Sequence, residues 1–194
     1  VEAARGKILD RYGRVLVTNR ESYNVSLDTS FMEDTNATLL KLLDICRQEG
    51  VTWTDTLPVS AEAPFVFTFD TAGSGAISNL YALSSSLKWT STLPEREEAD
   101  GIRAAAQEGQ GVSYPSADAF LDKLRAYYEV DPLLPDNEAR ALVGVRYELS
   151  LRSREVTYNA YVFAQDVEMS FIVQVKEADL PGVNIDTTTV REYN

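Results

Sequence analysis

The chain has 194 residues, 44% hydrophobic and 25% charged, which suits one domain or a pair of small subdomains. Its formal net charge of −12 works against nucleic acid and anionic lipid as partners, since both are polyanions. It has no histidine and one cysteine, Cys46, which removes the commonest general base, the commonest zinc ligand and any intrachain disulfide.

Residues 5 to 28 read as three short strands. The first two form a hairpin: Ile8-Leu9, a turn over Asp10-Arg11-Tyr12-Gly13 in which Gly13 supplies the positive φ, and Val15-Leu16-Val17. Arg5, Lys7, Arg11, Arg14 and Arg20 make this the basic part of an acidic chain. Tyr23, Val25 and Leu27 then alternate with polar residues, as in a strand with one packed face. Residues 36 to 49 are an amphipathic helix capped by Thr35 or Asn36 and ended by Gly50. Its apolar stripe is Leu39, Leu40, Leu42, Leu43 and Cys46, which predicts a buried, inert thiol.

Phe65 to Phe69 has the composition of a strand, broken by Gly73-Ser74-Gly75. Residues 77 to 93 are ambiguous, although Leu80, Leu83 and Leu87 fit one helix face. A helix opens at Pro94 and runs to Gln107, and another spans Ser116 to Tyr128. A short helix follows through Ala141 and Leu142, ended by Gly144. Val145, Tyr147, Leu149 and Leu151 then alternate as a strand, as do Tyr158, Ala160 and Val162. Asp166 to Val175 fits either strand or helix, and Pro181-Gly182 turns into a last strand. The fold class is α+β, and the first and last strands are candidates to pair.

The stretch Arg5-Gly6-Lys7-Ile8-Leu9-Asp10-Arg11-Tyr12-Gly13-Arg14-Val15-Leu16-Val17-Thr18-Asn19 resembles the opening of the pedestal, or dimerisation, domain of class B penicillin-binding proteins. That opening is written Arg-Gly-x-Ile-x-Asp-Arg-Asn-Gly-x-x-Leu-Ala-x-Asn; Tyr12 and Val17 replace its Asn and Ala. Glu138-Ala139-Arg140-Ala141-Leu142-Val143-Gly144-Val145-Arg146-Tyr147 resembles a second family segment, one position short. Tyr161 to Val167 resembles a third, and Glu177, Gly182-Val183 and Arg191-x-Tyr193 resemble the close of the domain, with Asn194 in place of a proline. The resemblance implies a pedestal over residues 1–194, with an elongated strand-built neck from 1–35 and 145–194 and a mixed head from 36–144. It favours helix for Asp166 to Val175. Its motif residues are Arg5, Gly6, Asp10, Arg11, Gly13, Asn19, Arg140, Gly144, Arg146, Tyr147, Glu177, Gly182, Arg191 and Tyr193.

The family's transpeptidase chemistry needs Ser-x-x-Lys, then Ser-x-Asn, then Lys-Thr/Ser-Gly. Ser85-Ser86-Leu87-Lys88 and Ser22-Tyr23-Asn24 match the first two in the wrong order, and the third is missing, so no nucleophile–base set is complete. Glu97 with Asp100, and Asp118 with Asp122, are expected on solvated helix faces, where a carboxylate keeps its ordinary pKa. There is no calcium loop, phosphate loop or dinucleotide fingerprint, and no cofactor or metal is expected.

The resemblance thus implies a non-catalytic fragment of a membrane-anchored peptidoglycan transpeptidase on the extracytoplasmic face. A transpeptidase domain would be its partner in cis, with elongation, division or sporulation proteins in trans and a homodimer as a further option. A stand-alone adaptor domain is the alternative; a small carboxylate-dependent hydrolase is a third, weaker reading. The expected neck joins the two chain ends, with Arg5, Asp10 and Arg11 paired to Glu177 and Arg191.

Overall fold

The computed structural model describes residues 6–153 and 161–193. Their elements are β1 (Ile8–Leu9), β2 (Val15–Leu27), α1 (Thr35–Glu49), α2 (Ser74–Ser86), α3 (Arg96–Gln107), α4 (Asp118–Tyr127), α5 (Asp136–Arg152), β3 (Tyr161–Ala164), α6 (Met169–Glu177) and β4 (Val183–Tyr193). The fold is α+β, as expected. Arg5, Tyr158, Ala160 and Asn194 lie outside the described residues.

The described residues divide into two packed units, one of residues 6–54 and 161–193, the other of residues 55–153. In the first, β2 is the central strand of a four-stranded sheet. Val25, Ser26 and Leu27 pair with β3 on one edge and with β4 on the other, and Val17 pairs with both Ile8 and Tyr193. β1 and β3 therefore share one edge of β2, and β4 takes the other. Since β3 and β4 both run antiparallel to β2, they are parallel to each other, and α6 is the crossover between them.

The two chain ends do meet. Eleven consecutive residue pairs join β2 to β4, from Val17 opposite Tyr193 to Leu27 opposite Val183. The antiparallel sense sets Val183 to Thr187 against Tyr23 to Leu27, and the hairpin residue Val17 meets the far end of β4 at Tyr193. Residues 15–27 form one strand rather than two, because the polar residues between Val17 and Tyr23 continue the extended backbone without a breaker.

The cap of α1 is Asp34, one residue before the expected pair, its carboxylate accepting from the Ala37 amide at 2.9 Å. Gly50 closes the helix in the left-handed region at φ 67°. Leu39, Leu42, Leu43 and Cys46 are buried on the stripe, which packs against α6. At roughly 1.5–3 kcal/mol per fully buried aliphatic side chain, this face is what holds the helix. Burial pushes the Cys46 thiol up to about 12, against an opposing pull from Arg47. Thiol titration of the native protein should leave Cys46 unlabelled until denaturant is added; rapid labelling in buffer would contradict its place in this core.

The second unit holds α2 to α5. Phe65, Phe67 and Phe69 are buried, with Phe67 stacked on Phe69 at 5.1 Å and tilted onto Phe120 at 6.0 Å. The predicted strand there is only extended chain with single bridges from Val59 to Phe67 and from Val66 to Ser116. The alternation is real, but among the described residues no long neighbouring segment completes a ladder. The ambiguous stretch after Gly73 is α2, with Ile77, Leu80 and Leu83 inside.

The largest departure from expectation is α5, 17 residues long, which runs through Gly144 and absorbs the predicted strand at Val145 to Leu151. Ala139, Leu142, Val143, Val145 and Tyr147 are all buried, so the helix is enclosed on several sides and its apolar residues fall at alternating as well as helical spacings. The expected boundaries at 35/36 and 144/145 move accordingly. α1 belongs with the sheet unit, and residues 145–152 belong with the helical one.

Candidate functional site

The motif residues form separate clusters. The first is built by the β1–β2 turn. The Asp10 carboxylate accepts from the Tyr12 amide at 2.8 Å, the Arg14 amide at 2.9 Å and the Arg14 guanidinium at 2.8 Å. Gly13 sits at φ 80°. The Arg14 amide first, joined by the Arg14 guanidinium and the Tyr12 amide, holds the Asp10 carboxyl below its ordinary value against the opposing push of desolvation. Asp10 thus finds its partner within the turn, and the expected pairing with Glu177 and Arg191 is corrected. Arg191 instead donates to the Gly6 carbonyl at 3.2 Å, tying the end of β4 to the start of β1. Asn19 lies opposite Arg191, and Glu177 is exposed at the end of α6.

Around this turn lie Ile8, Leu9, Tyr12, Leu16 and Tyr193, all exposed, with Tyr193 at 75%. Arg11 stands 4.7 Å and Arg14 5.6 Å from the Tyr12 ring centre. The result is an apolar surface threaded with cations. At the other end of β4, Gly182 takes φ 77° and accepts from the Asp28 amide at 2.8 Å. A Cβ there would meet the Asp28 carbonyl at 2.2 Å.

The second cluster lies on α5. Arg140, only 4% exposed, donates to Asp55 Oδ2 at 2.7 Å and to the carbonyls of Val59 at 2.8 Å, Ser60 at 3.1 Å and Leu57 at 3.3 Å. One turn on, Gly144 leaves room for this pair: a Cβ would lie 2.1 Å from Asp55 Oδ2 and 2.6 Å from Arg140 Nη1. A further turn on, the buried Glu148 carboxylate accepts from the Thr56 amide at 2.5 Å and from the Thr56 hydroxyl, with the Arg152 guanidinium 3.7 Å away. Residues 140, 144 and 148 therefore form an i, i+4 stripe against segment 55–60, with Arg152 one turn further beside Glu148. Arg146 lies over the Tyr128 ring at 5.3 Å, and Tyr147 is fully buried. Asp55 and Glu148 were missed in the sequence. The i+4 spacing pointed to Glu148, but the strand reading of 145–151 hid it.

A third cluster was also missed. Asp166, at φ 53°, receives both Arg20 guanidinium nitrogens, at 2.7 and 2.5 Å, and the Ser22 hydroxyl at 2.9 Å. Its amide donates to the Asn24 side chain at 3.1 Å, and the Val167 amide donates to the Tyr23 carbonyl at 2.9 Å. The loop after β3 thus covers the edge of β2 between β1 and β3. The Arg20 hydrogen bonds first, then Ser22, hold the Asp166 carboxyl at about 2, down from 3.8. A carboxyl depressed by folding contributes stability that is complete above its unfolded value and is lost as pH falls through about 2. Acid unfolding of Asp166→Asn should therefore lack part of the slope between pH 4 and 2 seen in the parent chain. Identical slopes would show that the edge lock is not formed.

None of these clusters is arranged for group transfer. Ser85 is exposed in the last turn of α2, and Lys88 follows beyond the helix end at φ 59°. The Ser22 hydroxyl is taken by Asp166. Glu97, Asp100, Asp118 and Asp122 are exposed, and Asp100 pairs with Arg96 at 3.1 Å. Among the described residues, no group of three or more carboxylate or thiol side chains could hold a metal, and no helix is long and apolar enough to cross a membrane.

Among the solved structures that this chain resembles are two chains of penicillin-binding protein 2B from Streptococcus pneumoniae. The one from strain 5204 shares 16% identity over 100% of this chain, and the one from strain R6 shares 15% over 98%, each with a TM-score of 0.37. This chain spans about a quarter of their length, 26% and 25%. No curated protein matches. The sequence profile of the penicillin-binding protein dimerisation domain matches residues 1–194, the whole chain, and the chain belongs to that family.

Proposed function

We propose that this domain is the pedestal of a longer, membrane-anchored peptidoglycan D,D-transpeptidase on the extracytoplasmic face, and that it orients the catalytic domain without taking part in its chemistry. The observation that carries the reading is the exposed surface at the β1–β2 turn. Leu9, Tyr12, Leu16 and Tyr193 are apolar and outward-facing at the end of the sheet to which β4 delivers the chain. Apolar side chains left exposed together at one end of a sheet, here on both of its faces, are candidates for covering by a partner. A transpeptidase domain following in cis would be tethered beside it. Elongation, division or sporulation proteins would be the partners in trans.

The test compares this chain with the longer protein. Fluorescent penicillin should label the longer protein and leave the 194-residue chain unlabelled. Labelling of the short chain, abolished by Ser85→Ala, would overturn the non-catalytic assignment. Leu16→Asp with Tyr193→Asp should leave the melting of the isolated domain within about 0.5 kcal/mol, as for exposed sites generally. In the longer protein the same pair should split one melting transition into two, and an unchanged profile would contradict the contact.

A further inference from the structure

The turn surface carries charge as well as apolar area, and the two are interleaved. Residues 6–17 hold three cations, Lys7, Arg11 and Arg14, against one carboxylate, Asp10, in a chain of net charge −12. Asp10 is taken by Arg14. Lys7 and Arg11 are exposed, and among the described residues neither has a carboxylate partner. Glu192, further along the sheet, lies opposite Thr18 and acts on Arg20. The Arg11 guanidinium stands 4.7 Å from the centre of the Tyr12 ring, which is 68% exposed, and Lys7 precedes the exposed Ile8.

No partner can cover these apolar side chains and leave the cations in water. A surface that buries Tyr12 also takes water from Arg11, and burying a cation unpaired costs more than the apolar contact returns. Carboxylates opposite Arg11 and Lys7 remove that cost; a neutral apolar surface does not. The rest of the chain, being acidic, repels a negative partner and leaves the turn as the place where one can approach. An anionic bilayer would be drawn by the same charges. Leu16 and Tyr193, however, lie on strands of an open sheet, and open sheet backbone does not enter hydrocarbon, which favours protein over lipid. We propose that the turn surface is covered by an acidic face of a folded protein domain, with carboxylates set to pair with Arg11 and Lys7 around an apolar centre. On the pedestal reading, on which this rests, that domain is the transpeptidase in cis.

Carbodiimide coupling of the longer protein tests the pairing. The reagent joins the Lys7 amine to a carboxylate in contact with it as an amide, and takes up the water lost to become a urea. Mass spectrometry of the digest should link Lys7 to an Asp or Glu beyond residue 194, and Lys7→Gln should remove the link. Lys7 left unlinked, or linked only within residues 1–194, would overturn the proposal. Lys7→Glu with Arg11→Glu should leave the melting of the 194-residue chain unchanged. In the longer protein at about 50 mM salt, the same pair should split one transition into two, and about 0.5 M salt should lower the parent's transition but not that of Lys7→Gln with Arg11→Gln. If Leu16→Asp with Tyr193→Asp splits the transition and charge reversal does not, the contact in cis stands and its acidic character is overturned. If neither pair splits it, both fall. Binding of the 194-residue chain to phosphatidylglycerol vesicles, lost on charge reversal, would give the surface to lipid and overturn the proposal as well.

Discussion

Gly144→Ala is expected to lower the melting temperature of the helical unit by on the order of 10 °C. The added methyl would have to occupy a point 2.1 Å from Asp55 Oδ2 and 2.6 Å from Arg140 Nη1. Neither neighbour can yield freely. Arg140 is 4% exposed and is held by Asp55 and three backbone carbonyls, so moving either partner strands a charge away from water. Breaking a buried pair on one side costs about 3–5 kcal/mol. Asp55→Ala should cost a similar amount by leaving Arg140 uncompensated. The double variant should cost less than the sum of the two, because the nearest clash, with Asp55, is gone and the pair is already lost, leaving only Arg140 Nη1 beside the methyl. Differential scanning calorimetry of the three variants checks this; a neutral Gly144→Ala, or strict additivity, would contradict the clamp.

Removing β4, by ending the chain after Gly182, should leave the sheet unit unfolded. The ladder to β2 has eleven residue pairs, whereas β1 and β3 contribute two and three. At roughly 0.5–1.5 kcal/mol net per ladder hydrogen bond, the lost pairing is comparable to the ~5–15 kcal/mol that stabilises a whole domain. Val25 and Leu27, buried in the intact sheet, would lose their neighbours Ile185 and Val183. The bared edge of β2 would then invite intermolecular pairing. Light scattering should report aggregation at ordinary concentrations, together with loss of near-ultraviolet dichroism. A truncated chain that stays monomeric and melts like its parent would show that β4 is dispensable.

Much of the sheet unit was legible in the residues. The hairpin turn followed from Asp10 and Gly13, because a short acceptor and a positive-φ glycine have few other uses at that spacing. The helix at 36 to 49 followed from its stripe and Gly50, with only the cap displaced to Asp34. The pairing of the first and last strands followed from their β-rich composition, while the register did not, since alternation carries no information about strand direction. Gly144 read as a stop because glycine usually ends a helix. Here it is internal, for a reason that lies 89 residues away in Asp55. The partners of Asp166 and Glu148 were not legible because both act on groups distant in sequence, at Ser22 and Thr56. For the same reason, Glu177 looked like a partner for the basic hairpin when Asp10 and Arg14 satisfy each other four residues apart.

The joining of the two chain ends in one sheet is tested most directly by cross-strand cysteine trapping in a Cys46→Ser background. Glu21 and Thr189 are register partners and both are exposed, and Thr188 lies one residue out of register. Directly opposed residues of an antiparallel ladder hold their Cα atoms about 4.5–5.5 Å apart, within disulfide range, whereas a shift of one turns the side chain to the other face. Glu21→Cys with Thr189→Cys should form an intramolecular disulfide on mild oxidation, seen as a faster band on non-reducing electrophoresis. Glu21→Cys with Thr188→Cys should stay reduced under the same conditions. Equal trapping of both pairs, or trapping of neither, would contradict the β2–β4 ladder on which the pedestal is built.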